Sequence, residues 1–207
     1  DKVEKKYSTE YDTRQIKGAY NVQMSSSEFE QRVGWVTPED SSIILVADST
    51  ADAQRCIYNM AFIALDSNVA GFLDGGIDTW MGAGKPVATI PQIDVHALNN
   101  RLASNGLRVL DVREEDEWDE GHINSAMFMA YTSLAPQLDI PAKIDELPWS
   151  FNESIAVTCA TGKRSSTAIS ILRRHGYKHL YNVTGGMEAW ENAGFQMLDA
   201  AGNICNI

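Results

Sequence analysis

The segment Ile155-Ala-Val-Thr158 leads without interruption into Cys159-Ala-Thr-Gly-Lys-Arg-Ser165 in the C-terminal half of the chain. A continuous apolar run of this length is typical of a buried strand. The residues that follow, 165–175, carry apolar side chains at helical spacing, and Gly176 ends that pattern. The sequence therefore predicts a buried strand, a short loop that begins with Cys159, and a helix directly after the loop.

Cys159 stands at the start of this loop, where three features favour a negative charge on its sulfur. The backbone N–H groups of a tight loop converge on one point, and the first N–H groups of the following helix carry a positive partial charge. Lys163 and Arg164 add two cationic side chains, and Gly162 allows the positive φ that a tight loop requires. Because the thiolate is the nucleophilic form of cysteine, we predict that Cys159 is a nucleophile.

Short apolar segments alternate with helical patterns throughout the C-terminal half. The predicted strands cover residues 107–112, 126–129, 155–158 and 180–183. The predicted helices cover residues 95–103, 114–120, 165–175 and 187–193. Asp94 is the expected N-cap of the first helix. Alternation of this kind is typical of an α/β fold in which helices flank a mostly parallel sheet.

Three segments of the chain occur twice. Asp74-Gly-Gly-Ile-Asp-Thr-Trp80 recurs as Thr184-Gly-Gly-Met-Glu-Ala-Trp190, and Glu10–Ala19 is similar to Glu117–Ala126. Residues 42–46 are likewise similar to residues 154–158, and the second copies follow the first by 107 to 112 residues. A repeat of this length indicates duplicated domains rather than a solenoid. We therefore expect two α/β domains, 1–88 and 89–207.

The first of these copies departs from the second. Asp1 aligns with Asp111, so we expect the first domain to be truncated, and the chain to be part of a longer protein or to lack N-terminal residues. Ala47 or Asp48 aligns with Cys159, and no pair of basic residues follows. A carboxylate there would repel an anionic ligand. The first domain is therefore predicted to be inactive, and either structural or involved in shaping the entrance to the second.

The composition argues against several classes of function. The 207 residues carry 17 Lys and Arg against 28 Asp and Glu, and a net charge of −11 is unsuited to binding nucleic acid or an anionic membrane. No apolar run approaches the ~18 residues of a membrane-spanning helix, and the N-terminal residues lack a signal-peptide pattern. The three cysteines, Cys56, Cys159 and Cys205, are widely spaced and odd in number, which does not suit a disulfide framework. We therefore expect the protein to be located in the reducing cytoplasm. The histidines show no metal-ligand spacing, so we predict neither a metal nor a cofactor.

Motifs in a fixed order connect the C-terminal half with a known family. Leu110-Asp-Val-Arg113 is followed by Glu117-Trp118 and Gly121-His-Ile123, then by the Cys159 loop and by Gly185-Gly-Met-Glu-Ala-Trp190. This set resembles tandem rhodaneses (thiosulfate sulfurtransferases), and the resemblance extends over nearly the whole chain. It is also similar to the C-terminal part of bacterial persulfide dioxygenase–rhodanese fusions, in which a metallo-β-lactamase-fold domain precedes two rhodanese domains.

The resemblance implies a reaction for Cys159. In the family this cysteine takes up a sulfane sulfur as a persulfide and passes it to a thiol or cyanide, so Cys159 is the implied catalytic residue. The implied substrate-binding residues are Ala160, Thr161, Gly162, Lys163, Arg164 and Ser165, through their backbone amides and the Ser165 hydroxyl. Lys163 and Arg164 are expected to attract a small anionic donor such as thiosulfate, and Arg164 to orient it. An upstream metallo-β-lactamase-fold domain and a homo-oligomer are both compatible with the sequence.

Two other functions stay open for this loop. Cysteine phosphatases and arsenate reductases also place a cysteine in an anion-binding loop before a helix. In a phosphatase loop the arginine would fall at residue 165, which is Ser here, and Arg164 comes one position early. The smaller ring of amides suits a single sulfur atom better than a phosphate. The other alternative is a non-catalytic rhodanese-like module that carries a persulfide or binds a partner.

Overall fold

The computed structural model describes residues 14–24, 28–38, 40–104, 106–135 and 142–205. The chain divides into an N-terminal unit, inside Thr9–Thr89, and a C-terminal unit, inside Ile90–Ile207. Asp1 and residues 10–13, on which part of the repeat argument depends, lie outside the described residues. The assignment of 1–88 and 89–207 as two rhodanese-like domains stays a prediction.

In its described residues, the N-terminal unit contains two small sheets. Its elements are β1 (Arg14–Ile16), α1 (Phe29–Val36), β2 (Ile43–Val46), α2 (Thr50–Met60), β3 (Val69–Leu73), α3 (Gly76–Gly82) and β4 (Val87–Thr89). Strands β2 and β3 pair in parallel, whereas β1 and β4 pair antiparallel. The core of this unit is formed by Phe29, Val33, Cys56, Met60 and Leu65.

The C-terminal unit is built around one larger sheet. Its elements are β5 (Gln92–Ile93), α4 (Val95–Ala103), β6 (Arg108–Asp111), α5 (Glu115–Glu120), β7 (Ala126–Phe128), β8 (Ser154–Thr158), α6 (Lys163–His175), β9 (His179–Val183), α7 (Gly186–Asn192), β10 (Met197–Leu198) and β11 (Ile204–Cys205). The sheet has the strand order β5-β9-β8-β6-β7, and all neighbours run parallel. The predicted α/β fold with a parallel sheet flanked by helices is confirmed.

Strand β8 lies at the centre of the sheet, which explains its apolar sequence. Ile155, Ala156 and Val157 are fully buried, because a central strand of a parallel sheet is covered on both faces. Ala168 and Leu172 of α6 are also fully buried. The strand that precedes Cys159 and the helix that follows it are therefore both anchored in the core, and the loop between them has little freedom.

The helices lie within two residues of their predicted bounds, since α5 covers residues 115–120 against 114–120 predicted, and α7 covers 186–192 against 187–193. Helix α4 covers residues 95–103 as predicted, and the Asp94 carboxylate accepts the Ala97 N–H at 2.8 Å. Helix α6 begins at Lys163 rather than at Ser165 as predicted. Gly162, with φ 93°, is its N-cap, and a residue in the left-handed conformation lets the helix begin sooner after the turn. Lys163 therefore belongs to the first helical turn rather than to the loop.

The repeated Gly-Gly motif has the same local structure in each unit. Gly75 and Gly76 have φ of 70° and 58° at the start of α3, and Gly185 and Gly186 have φ of 76° and 58° at the start of α7. The tryptophans of the two motifs also make equivalent hydrogen bonds. Trp80 Nε1 donates to the Pro86 carbonyl at 2.9 Å, and Trp190 Nε1 donates to the Gln196 carbonyl at 3.2 Å.

In the described parts of the chain, no helix combines the length and the apolar character needed to cross a membrane.

Candidate active site

Cys159 follows the last residue of β8 and is fully buried. Its loop is held from one side by the start of α7. The Met187 N–H donates to the Cys159 carbonyl at 2.8 Å, and the Glu188 N–H donates to the Ala160 carbonyl at 3.0 Å. These are N–H groups of the first helical turn, which have no partner within the helix. The helix therefore fixes the backbone of the loop at its first two residues.

This contact explains the second glycine of the Gly-Gly motif. A Cβ atom on Gly186 would lie 2.2 Å from the Cys159 carbonyl oxygen and 2.5 Å from that of Ala160. Both distances are far below van der Waals contact, and the φ of 58° is itself unfavourable for a residue with a side chain. Only glycine lets α7 come this close to the loop.

The Cys159 sulfur has two polar neighbours among the predicted site residues. The Gly162 N–H donates to Sγ at 3.1 Å, and the Cys159 S–H donates to the Ser165 hydroxyl oxygen at 3.6 Å. Thr161 is exposed, and Lys163 is half-buried. The structure thus brings Gly162 and Ser165 to the sulfur. The substrate-binding roles of Ala160, Thr161, Gly162, Lys163 and Ser165 stay predictions.

Asn182 belongs to this site, although sequence reasoning missed it. The Ser165 hydroxyl donates to Asn182 Oδ1 at 2.6 Å. Asn182 lies near the C-terminal end of β9, which pairs with β8, and the ends of parallel neighbours meet at one edge of the sheet. The available signal was a polar residue within the apolar run that predicted this strand.

Arg164 is engaged by a second element, α5. Its guanidinium forms a bidentate ion pair with the Glu117 carboxylate, in which Nη2 donates to Oε1 at 2.6 Å and Nη1 donates to Oε2. The Arg164 side chain is 14% exposed and the Glu117 side chain 30% exposed. Orientation of a donor by Arg164 would compete with this pair for the guanidinium, and that role stays a prediction. Glu117, which the sequence singled out only as part of a motif, is the residue that holds Arg164.

The environment of Glu117 favours its ionised form. Burial alone would raise its pKa, but the hydrogen bonds from Arg164 and from the Glu114 N–H, together with the charges of Arg164 and Arg113, outweigh burial and lower it below the ordinary value of 4.5. A carboxyl group whose pKa is lowered by folding stabilises the native state while it is ionised, and this contribution is lost as the pH falls through the folded-state pKa.

We expect Glu117→Gln to reduce the free energy of unfolding at neutral pH, and to have a smaller effect as the pH falls below 4.5. Urea unfolding of the wild type and of Glu117→Gln, at several pH values from neutral to below 4.5, measures this difference in the free energy of unfolding. Glu120→Gln is the matched control, because Glu120 is an exposed residue of the same helix. A difference for Glu117→Gln that is the same at neutral and acid pH would contradict the assignment.

An acidic cavity of about 240 Å³ adjoins the loop. Its lining comprises Arg113, Glu117, Glu120, Gly121, Ala160, Met187, Glu188, Glu191 and Met197. The positive charge of Arg113 is paired with the negative charge of Asp111, to which its Nη2 donates at 2.8 Å. The same Nη2 also donates to the Gly121 carbonyl at 2.7 Å. The rim of this cavity therefore does not supply the positive potential that a dianionic donor would favour.

The other two cysteines differ from Cys159 in their surroundings. Cys56 is buried on α2, and its S–H donates to Met24 Sδ at 3.3 Å. Burial, followed by the charge of Asp52, raises the pKa of this thiol, which disfavours the nucleophilic form. Cys205 lies half-buried on β11.

Within the described ranges, no three His, Cys, Asp or Glu residues form a group able to hold a metal ion.

The fold and the site together define a class: an α/β unit with a cysteine in the loop that joins a central parallel strand to a helix. A family model described as a rhodanese-like domain matches residues 94–193. The putative sulfurtransferase YtwF of Bacillus subtilis is 34% identical over 103 residues, which are 49% of this chain and 91% of that protein. The chain belongs to the rhodanese-like family.

Two further relatives show the range of this family. A putative mitochondrial thiosulfate sulfurtransferase of Schizosaccharomyces pombe is 31% identical, over 47% of this chain and 73% of that protein. The putative sulfur carrier protein YrkF of Bacillus subtilis is 30% identical, over 50% of this chain and 52% of that protein. The match thus spans about half the length of YrkF. Sulfurtransferases and sulfur carriers are the functional classes among these relatives.

Proposed function

We propose that this protein is a sulfurtransferase that moves a sulfane sulfur from thiosulfate or a related persulfide to a thiol or cyanide, through a persulfide on Cys159. The observation that carries the proposal is the position of the Cys159 sulfur. It lies at the C-terminal end of a central parallel strand, accepts the Gly162 N–H at 3.1 Å and faces the start of α6. These are conditions that stabilise a negatively charged sulfur.

The proposed reaction consists of two displacements. The Cys159 thiolate attacks the outer sulfur of the donor; a new S–S bond forms, and the donor's own bond to that sulfur breaks, so that sulfite or a thiolate leaves with the electron pair. The acceptor then attacks the outer sulfur of the Cys159 persulfide, and Cys159 leaves as a thiolate. The Gly162 N–H is placed to stabilise the negative charge on Cys159 before the first displacement and after the second.

The charges near the loop bear on the choice of donor. Because the Arg164 guanidinium is bound by Glu117, Lys163 is the better candidate for attracting an anionic donor. The glutamates around the neighbouring cavity oppose that attraction. We therefore propose that singly charged persulfides are better donors than the thiosulfate dianion.

The N-terminal unit is proposed to be a second rhodanese-like copy that lacks the catalytic cysteine. Support comes from its β2–α2–β3–α3 order, which matches β8–α6–β9–α7, and from the shared Gly-Gly turn. A Cβ atom on Gly76 would lie 2.7 Å from the Ala47 carbonyl oxygen, just as Gly186 meets the carbonyl of Cys159. Ala47 therefore takes the place of the nucleophile.

A sulfur carrier without turnover is the second candidate, favoured by the similarity to YrkF. Both candidates require a persulfide on Cys159, but only a sulfurtransferase passes the sulfur to a small acceptor over many cycles of loading and release. Turnover with cyanide as the acceptor separates the two functions.

We expect incubation with a persulfide donor, followed by removal of excess donor, to add one sulfur atom to the peptide that contains Cys159, as measured by mass spectrometry. Cyanide should then remove that sulfur and yield an equivalent amount of thiocyanate. Steady-state kinetics should be ping-pong, since the covalent intermediate forms before the acceptor binds. Intersecting double-reciprocal plots, or sulfur found only on Cys56 or Cys205, would contradict the proposal.

A further inference from the structure

A chain of hydrogen bonds connects the Cys159 sulfur with the backbone carbonyl of Ile90. Gln92 Nε2 donates to the Ile90 carbonyl at 3.2 Å, and Asn182 Nδ2 donates to Gln92 Oε1 at 2.9 Å. The Ser165 hydroxyl donates to Asn182 Oδ1 at 2.6 Å, and its oxygen faces the Cys159 sulfur at 3.6 Å. Ser165 is fully buried and Asn182 is 9% exposed.

The direction of every bond in this chain is set at its outer end. A backbone carbonyl can only accept a hydrogen bond, so Gln92 presents its amide nitrogen to Ile90 and its oxygen to Asn182. Asn182 must then present its nitrogen to Gln92 and its oxygen to Ser165. The Ser165 hydroxyl proton is consequently directed to Asn182, and a lone pair of the Ser165 oxygen is left for the Cys159 sulfur.

We propose that Asn182 is a positioning residue that acts through Ser165 to favour the thiol form of Cys159 in the free protein. With its proton on Asn182, Ser165 can only accept from the sulfur, and only a thiol can donate. Ionisation of Cys159, in which the thiol proton is lost to solvent, is favoured once the Ser165 hydroxyl turns from Asn182 onto the sulfur, where it joins the Gly162 N–H as a second donor. The inference rests on the proposed function, for which the thiolate is the reactive species.

Asn182→Leu tests this proposal, because leucine has a similar volume and offers no acceptor to Ser165. The freed hydroxyl should donate to the sulfur and favour the thiolate. The readout is the ultraviolet absorbance of the thiolate as a function of pH, with Cys159→Ser subtracted to remove the other cysteines. We expect the midpoint of this titration to fall by about one pH unit, the equivalent of one hydrogen bond to a charged group.

The same substitution in a Ser165→Ala background shows whether the effect passes through Ser165. Without the hydroxyl, Asn182→Leu should leave the midpoint unchanged. Ser166→Ala is the matched control for Ser165→Ala, since Ser166 Oγ is also buried and has no hydrogen-bond partner among the described residues. That control should leave the titration as it is in the wild type.

Gln92→Leu provides a second variant on an exposed side chain, in case Asn182→Leu fails to fold. Without Gln92 the Asn182 amide is free to rotate and donate to Ser165, so the midpoint should fall in the same direction, by less. An unchanged or higher midpoint in Asn182→Leu and Gln92→Leu, or an equal shift with and without Ser165, would overturn the proposal. Sulfur transfer by the wild type is measured separately, so failure of the proposed function would be seen there and not in the titration.

Discussion

Cys159→Ser is expected to reduce sulfur transfer by at least about 1,000-fold, because a serine hydroxyl cannot take up a sulfane sulfur as a persulfide. The substitution is nearly isosteric at a fully buried position that already has two polar neighbours, Gly162 and Ser165. The fold should therefore persist. The loss should appear in thiocyanate formation from a persulfide donor and cyanide, while thermal unfolding of the protein changes little.

The other two cysteines supply the controls for this experiment. Cys56→Ala suits the apolar core of the N-terminal unit, and Cys205→Ser suits the half-buried β11. Both variants should retain most of the sulfur transfer activity of the wild type. Turnover that survives in Cys159→Ser and disappears in either control would assign the nucleophile to another residue.

Gly186→Ala is expected to destabilise the C-terminal unit by at least about 4 kcal/mol, which is exceptional for one added methyl group. The new Cβ would lie 2.2 Å from the Cys159 carbonyl oxygen, and that oxygen belongs to the backbone of a loop anchored by β8 and α6. Relief of the clash requires α7 to move away and to lose its hydrogen bonds to the carbonyls of Cys159 and Ala160. Urea unfolding measures the stability, and sulfur transfer by the remaining folded fraction should also fall.

Gly194→Ala separates the clash from the backbone strain. Gly194 has φ of 70°, and a Cβ atom there would meet nothing within 4 Å. Its replacement should therefore cost only the left-handed conformation of a residue with a side chain, about 1–2 kcal/mol. Equal destabilisation by the two substitutions would show that the approach of α7 to the Cys159 loop contributes nothing beyond strain.

Local patterns in the sequence were sufficient to predict the fold of the C-terminal unit. The 95–103 helix and its Asp94 cap depend on residues within one or two turns of each other, so spacing alone identifies them. The apolar run before Cys159 likewise predicted a buried strand, since a short strand covered on both faces is apolar throughout. Cys159 as the candidate nucleophile followed from the same stretch of chain.

The partners of the site residues were decided by the tertiary structure. Glu117 and Arg164 are 47 residues apart in sequence, and Ser165 and Asn182 are 17 apart. Neither spacing shows that α5 lies beside the start of α6, or that β9 pairs with β8. A basic residue after Cys159 could therefore be predicted to face a substrate, although its charge is bound by Glu117. The sequence alone determined the strand, the loop and the cysteine, because each depends on neighbouring residues. The ion pair on Arg164 and the hydrogen bonds that reach the sulfur through Ser165 depend on which distant elements pack together, and only the folded chain decides that.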